Sequence, residues 1–183
     1  MNRFILLVLM YTVTCGVFNG KVYASSNCQP RTIEESYLEI GYKSVDEALR
    51  DFEHHYKQEL QLPLRVPPVI FTHVFARSYN GDSGSDLFEM EYINEQSSEN
   101  SFLMIVGEED KFKITEKELI KEFRLKDGNT AYFLSIRGPD SVRGSNLLVF
   151  EKDNLQYRFS IDKRISDKIT PEVLVQIANS IDY

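Results

Sequence analysis

The sequence predicts an α+β domain, a curved antiparallel sheet of about six or seven strands with two amphipathic helices packed on one face. Three observations lead there. A sharply capped amphipathic stretch begins at Ser44. From Val69 to Asp162 the chain breaks into short segments rich in Val, Ile, Phe and Tyr, divided by turns of Gly, Asn, Asp and Ser. A second amphipathic stretch opens at Thr170-Pro171. Alternating strands keep one wet face, and each amphipathic helix needs apolar surface to cover, so stacking both helices on one side of the sheet meets both demands. Strands and helices do not alternate and no repeat recurs, which excludes doubly wound and solenoid folds.

The elements follow in order. Residues 1–24 hold Arg3, an apolar run from Phe4 to Phe18, and Val22-Tyr23-Ala24, with small residues at −3 and −1 of a cut before Ser25. That is the layout of a secretory signal peptide, and the run is shorter than the ~20 residues of a permanent span. Lipidation at Cys15 is the competing reading, but Thr12 and Thr14 stand where a lipoprotein signal prefers Leu and a small residue. A retained signal anchor is the third. All three place the domain outside the cytoplasm.

Residues 25–43 are polar and read as a tether with one short ordered stretch around Tyr37–Ile40, and 44–183 as the single domain. Ser44-Val45-Asp46-Glu47 is a capping box, in which the Ser44 hydroxyl and the Glu47 carboxylate each accept from the other's amide. Val45, Ala48, Leu49, Phe52, Tyr56 and Leu60 then form one helical stripe. Pro63, Pro67 and Pro68 force an extended connector. Strands are expected at Val69–Tyr79, Leu87–Asn94, Phe102–Val106, Thr130–Arg137, Leu147–Glu151 and Leu155–Asp162. In the second of these, Phe88, Met90 and Tyr92 share one face, and Glu89 and Glu91 the other. Residues 111–125 fit two readings: Thr115…Glu118 resembles a helix cap, while Glu118–Leu125 also alternates as a strand. Thr170 and Pro171 are favoured as N-cap and first helical residue, ahead of Val173, Leu174, Ile177, Ala178 and Ile181.

Composition bounds the function. The 183 residues carry a net charge of −7, and removing 1–24 takes away two bases and no acid, so the remainder is more acidic still. Neither nucleic acid nor an anionic lipid surface is an expected partner, because a basic footprint is missing. The 42% hydrophobic content and ten Tyr and twelve Phe exclude disorder. After cleavage Cys28 stands alone, so no intramolecular disulfide and no Cys-based zinc set is expected.

Some constellations carry potential chemistry. Gly81-Asp82-Ser83-Gly84 spells a serine-protease tetrapeptide, but Ser85-Asp86 follow it and every residue is also a turn former. His54, His55 and His73 are the bases that would have to serve Ser83. Asp51, His55 and Glu59 at i−4 and i+4 could put three metal ligands on one helical face, though ordinary side-chain pairs explain them as well. Asp82, Ser83, Ser85 and Asp86, and separately Glu108-Glu109-Asp110, could hold calcium but lack the pattern of a dedicated loop. No catalytic residue, metal ligand or cofactor is assigned on this basis. The aromatic excess on strands (Phe71, Phe75, Tyr79, Phe88, Tyr92, Phe102, Tyr132, Phe133, Phe150, Tyr157 and Phe159) is expected to fill a core, with an apolar ligand between sheet and helices as the alternative.

Lys43-Ser44-Val45-Asp46-Glu47-Ala48, the Leu62-Pro63…Val66-Pro67 connector, and the run from Leu147 to Ser160 followed by Leu174…Ile177-Ala178-Asn179-Ser180-Ile181 resemble a domain of unknown function. It occurs in exported lipoproteins and in extracytoplasmic halves of anti-sigma and spore-related proteins of Gram-positive bacteria. The likeness spans roughly residues 43–181 and implies a lipoprotein-carrier-like half-barrel with no assigned catalytic residue. The expectation is a non-catalytic exported binding or sensing module of the cell envelope. Its partner is an envelope or secreted protein, or an apolar ligand in the cup. The alternatives are a small extracellular serine-type hydrolase and a structural spore or envelope component.

Overall fold

The computed structural model describes residues 31–80, 86–108, 112–138 and 144–181. Its compact unit begins at Thr32, within the segment expected as a tether. A first helix, α1 (Ile33–Glu39), opens there on a capping box: Thr32 Oγ1 accepts from the Glu35 amide at 3.2 Å, and Glu35 accepts from the Thr32 amide at 3.1 Å. The polar composition concealed it, because α1 lays down only Ile33 and Tyr37 and buries no residue fully.

Helix α2 (Val45–Tyr56) starts on the expected box, with Ser44 and Glu47 exchanging amide bonds of 3.3 Å in each direction. It stops at Lys57, whose left-handed backbone (φ 59°) turns the chain before the expected end at Leu60. Leu60 is buried all the same, as a member of the main core cluster, and the Glu53 carboxylate accepts its amide at 3.0 Å. The proline connector is tied at both sides. Tyr157 donates to the Gln61 carbonyl at 3.2 Å, and Ser180 Oγ accepts the Arg65 amide at 3.1 Å.

Seven strands follow: β1 (His73–Asn80), β2 (Asp86–Ile93), β3 (Ser101–Glu108), β4 (Leu119–Arg124), β5 (Thr130–Arg137), β6 (Gly144–Lys152) and β7 (Leu155–Asp162). They make one curved, open, wholly antiparallel sheet in the order β1-β2-β3-β7-β6-β5-β4. The ambiguous stretch resolves as edge strand β4. Thr115 and Glu118 do bond, at 2.7 Å, but close only a single turn before the strand. The chain leaves β7 through a 3-10 turn (Lys163–Ile165) and ends in α3 (Pro171–Ala178).

Register divides the side chains cleanly. One face carries Ala76, Phe88, Met90, Phe102, Met104, Val106, Phe133, Leu148, Phe150, Tyr157 and Phe159, and both α2 and α3 pack onto it through Ala48, Phe52, Leu174, Ile177 and Ala178. Helix α1 lies on the opposite face, on Phe75 and Ile93. Among the described residues no helix is long and apolar enough to cross a membrane.

Candidate functional site

The α1 face gathers charge where the α2–α3 face gathers phenylalanine. Antiparallel pairing sets Arg77 opposite Glu89 and Phe75 opposite Glu91. Period-two alternation sends all four away from α2. Helix α1 and the residues after it then bring tyrosines over them. Arg77 Nη2 donates to both oxygens of Glu89, at 3.1 and 3.2 Å. Tyr79 donates to Glu89 Oε2 at 3.0 Å, and Tyr42 donates to Glu89 Oε1. Tyr37 and Tyr42 reach Glu91 Oε2 at 3.2 and 3.3 Å.

Aromatic surfaces close this cluster. The Arg77 guanidinium carbon sits 4.4 and 4.6 Å from the centroids of Tyr42 and Tyr79, within cation–π range. Tyr37 stacks on Phe75 at 4.3 Å, and His73 lies parallel to the same ring at 5.7 Å. Glu89 is only 6% exposed, so its charge is stabilised by four donor contacts rather than by water.

These surroundings move the titrations. Burial, then the nearby Glu91 charge, push Tyr37 up to about 12. Burial and the bond to Glu89 raise Tyr42 further, and burial followed by the Glu89 charge raises Tyr79. Burial also raises Glu91, against the pull of the Tyr37 and Tyr42 hydroxyls. The tyrosines therefore stay protonated at neutral pH and act as fixed donors. Such an arrangement holds carboxylates in place and gives a base or nucleophile no help.

The residues singled out from sequence fall elsewhere. His54 and His55 both line a cleft of about 290 Å3 with Asp51, Ser78, Tyr79 and Asn80. Asp51 is ion-paired with Lys43. Because α2 ends at Lys57, Glu59 leaves the helical face of Asp51 and His55 and lines a separate cleft with Leu49 and Ile181. No group of three metal-capable side chains forms among the described residues. His73 bonds Glu34 at 2.9 Å through Nε2, as a rim residue. Ser83, Asp82, Ser85, Glu109, Asp110, Cys15 and Cys28 lie outside the described residues, while Asp86 starts β2 and Glu108 ends β3. The strand aromatics divide between the faces: Phe75, Tyr79 and Tyr132 belong to the α1 face, and most others are packed beneath α2 and α3.

Sequence reading missed the cluster because its members look unrelated along the chain. One signal was available: pairing Asn80 with Asp86 across the turn sets Arg77 against Glu89.

No family model matches the chain, and no curated protein matches it. Among solved structures, cyanobacterial PsbP (CyanoP) from Synechocystis sp. PCC 6803 is similar at 13% identity and a TM-score of 0.34, covering 63% of this chain and 95% of that one. A likeness at this level carries no functional argument.

Proposed function

We propose that this chain is a non-catalytic exported binding or sensing module of the bacterial cell envelope, related to the Gram-positive domain it resembles. The observation that carries the reading is the state of the α1-face cluster. Its one deeply buried carboxylate, Glu89, is saturated by Arg77, Tyr42 and Tyr79, and the tyrosines are held in their protonated form. These groups organise a surface. An envelope or secreted protein is the favoured partner over an apolar ligand in the cup, since Phe52, Phe88, Phe102, Phe150, Tyr157 and Phe159 fill the space between sheet and helices at under 2% exposure or close to it. The export address rests on Arg3, the Phe4–Phe18 run and Val22-Tyr23-Ala24.

The hydrolase alternative has one observation in its favour. His54, His55 and Asp51 share a cleft with Asn80, three residues ahead of Ser83. Two experiments decide. The intact mass of protein recovered from culture medium should correspond to a chain starting at Ser25, and a diacylglyceryl mass at Cys15 on membrane-bound material would instead establish anchoring. The variant His54→Ala, His55→Ala, His73→Ala, Ser83→Ala should fold and complement a deletion strain. Loss of complementation traced to Ser83 alone would replace the module with the hydrolase.

A further inference from the structure

One cross-strand row of the α1 face runs Arg77, Glu89, Ile105, Arg158, Val149, Tyr132. It contains two guanidinium groups with opposite fates. Arg77 reaches both oxygens of Glu89 through Nη2 and donates from Nη1 to the Ile40 carbonyl at 3.3 Å. Arg158, three strands further along, has no carboxylate bonded to it among the described residues. Its Nε is buried with no acceptor in range, as is that of Arg77. Unlike Arg77, it has no carboxylate on its Nη groups among the described residues, and its guanidinium carbon lies 5.6 Å from the Phe112 ring centroid. A ring attracts the cation but offers no oxygen to its five N–H donors.

Among the described residues, the nearby acids do not fill the gap. Glu89 already accepts from Arg77 on both oxygens, from Tyr42 and from Tyr79, which uses the capacity of a carboxylate. Glu91 sits in the neighbouring row and is bonded by Tyr37 and Tyr42. Burial lowers the Arg158 proton affinity, against the pull of Tyr79 and Glu89. Half-buried beside Ile105 and Val149, this cation carries a desolvation cost with no charge-assisted bond to offset it.

We infer that Arg158 anchors a carboxylate-binding site on the α1 face, taking one carboxylate of a partner polypeptide in a two-pronged hydrogen bond. The single cation fits a monoanion. A phosphate dianion would meet Glu89 in the same row and a chain of net charge −7. The half-buried Ile105 and the Phe112 ring ask for an apolar group next to that carboxylate. The site deepens the binding-module reading and rests on it for the identity of the partner.

The test is a titration of the 15N-labelled exported chain with N-acetylphenylalanine, its uncharged amide, and inorganic phosphate. Saturable shifts of the Ile105, Arg158 and Val149 amides with the carboxylate alone support the site. Arg158→Met should abolish them at an unchanged unfolding midpoint. Should that variant fail to fold, Arg158→Lys keeps charge and stem but loses the fork, and should bind about tenfold or more weakly. No saturable shift, an equal response to phosphate or the amide, or a response that survives Arg158→Met overturns the site. A failed titration beside complementation by the histidine–serine variant removes the site and leaves the module. A successful titration beside loss of function on Ser83→Ala keeps the site and removes the module.

Discussion

The two faces of this sheet are built from the same strands and do different work. Under α2 and α3, side chains such as Phe52, Phe88, Phe102 and Phe159 are wholly buried and make ring–ring contacts, for example 5.4 Å between Phe102 and Phe159. On the α1 face, two apolar patches, Tyr42-Phe75-Ile93 and Leu134-Leu147-Val149, share the surface with a row containing two arginines and a buried glutamate. The first face gains stability from area and packing. The second keeps charge out of water, which costs stability unless every bond is made.

That contrast can be broken in graded ways. Phe52→Ala removes a ring that is 0% exposed and stacked on Tyr56, and should cost about 3–5 kcal/mol in urea unfolding. A midpoint equal to the parent's would mean that α2 does not close a core. On the other face, Glu89→Ala takes the acceptor from Arg77 Nη2 and the Tyr79 hydroxyl, leaves Tyr42 with Glu91 alone, and should cost about 2–3 kcal/mol, with Glu89→Gln milder. A negligible loss would reduce the cluster to solvated surface.

The helix caps sharpen the same comparison at lower energy. Ser44→Ala should lower global stability by about 1 kcal/mol, because α2 is locked to the core. Thr32→Ala should cost about as much locally, but appear as faster amide exchange in α1 with little change at α2, since α1 buries no residue fully. Uniform loss of protection in both helices would show that the two faces unfold together.

The smallest effect concerns Glu91. Its folded value is raised by burial, so its contribution to stability is complete in acid and is lost as pH rises through that raised value. Glu91→Gln, which can still accept from Tyr37 and Tyr42, should match or exceed the parent's stability at neutral pH. The advantage should vanish below about pH 4, where the ordinary glutamate is protonated too. A variant less stable at neutral pH would place a favourable ionic bond on Glu91.

Legibility followed the same division. The α2 stripe, its capping box, the proline connector and most strands could be read from periodicity because burial on that face is a local pattern. Helix α1 could not, as its anchoring depends on Tyr37 meeting Phe75 and Glu91, far away in sequence. Glu89 and Glu91 were placed on the correct side of β2, but a face opposite two helices was read as wet. What covers it is the segment 32–43, whose polarity resembles a tether. Arg158 carried no signal at all, since an arginine alternating with Tyr157 and Phe159 is ordinary for an exposed strand face.

The most direct measurement pairs two folded variants in complementation of a deletion strain: Arg158→Met on the α1 face, and His54→Ala, His55→Ala, Ser83→Ala at the α2–β1 cleft. With circular dichroism and unfolding midpoints matching the parent, the cleft variant should restore function and the Arg158 variant should not. Restoration by Arg158→Met together with failure of the cleft variant would contradict the account and move the working surface from the sheet face to the cleft.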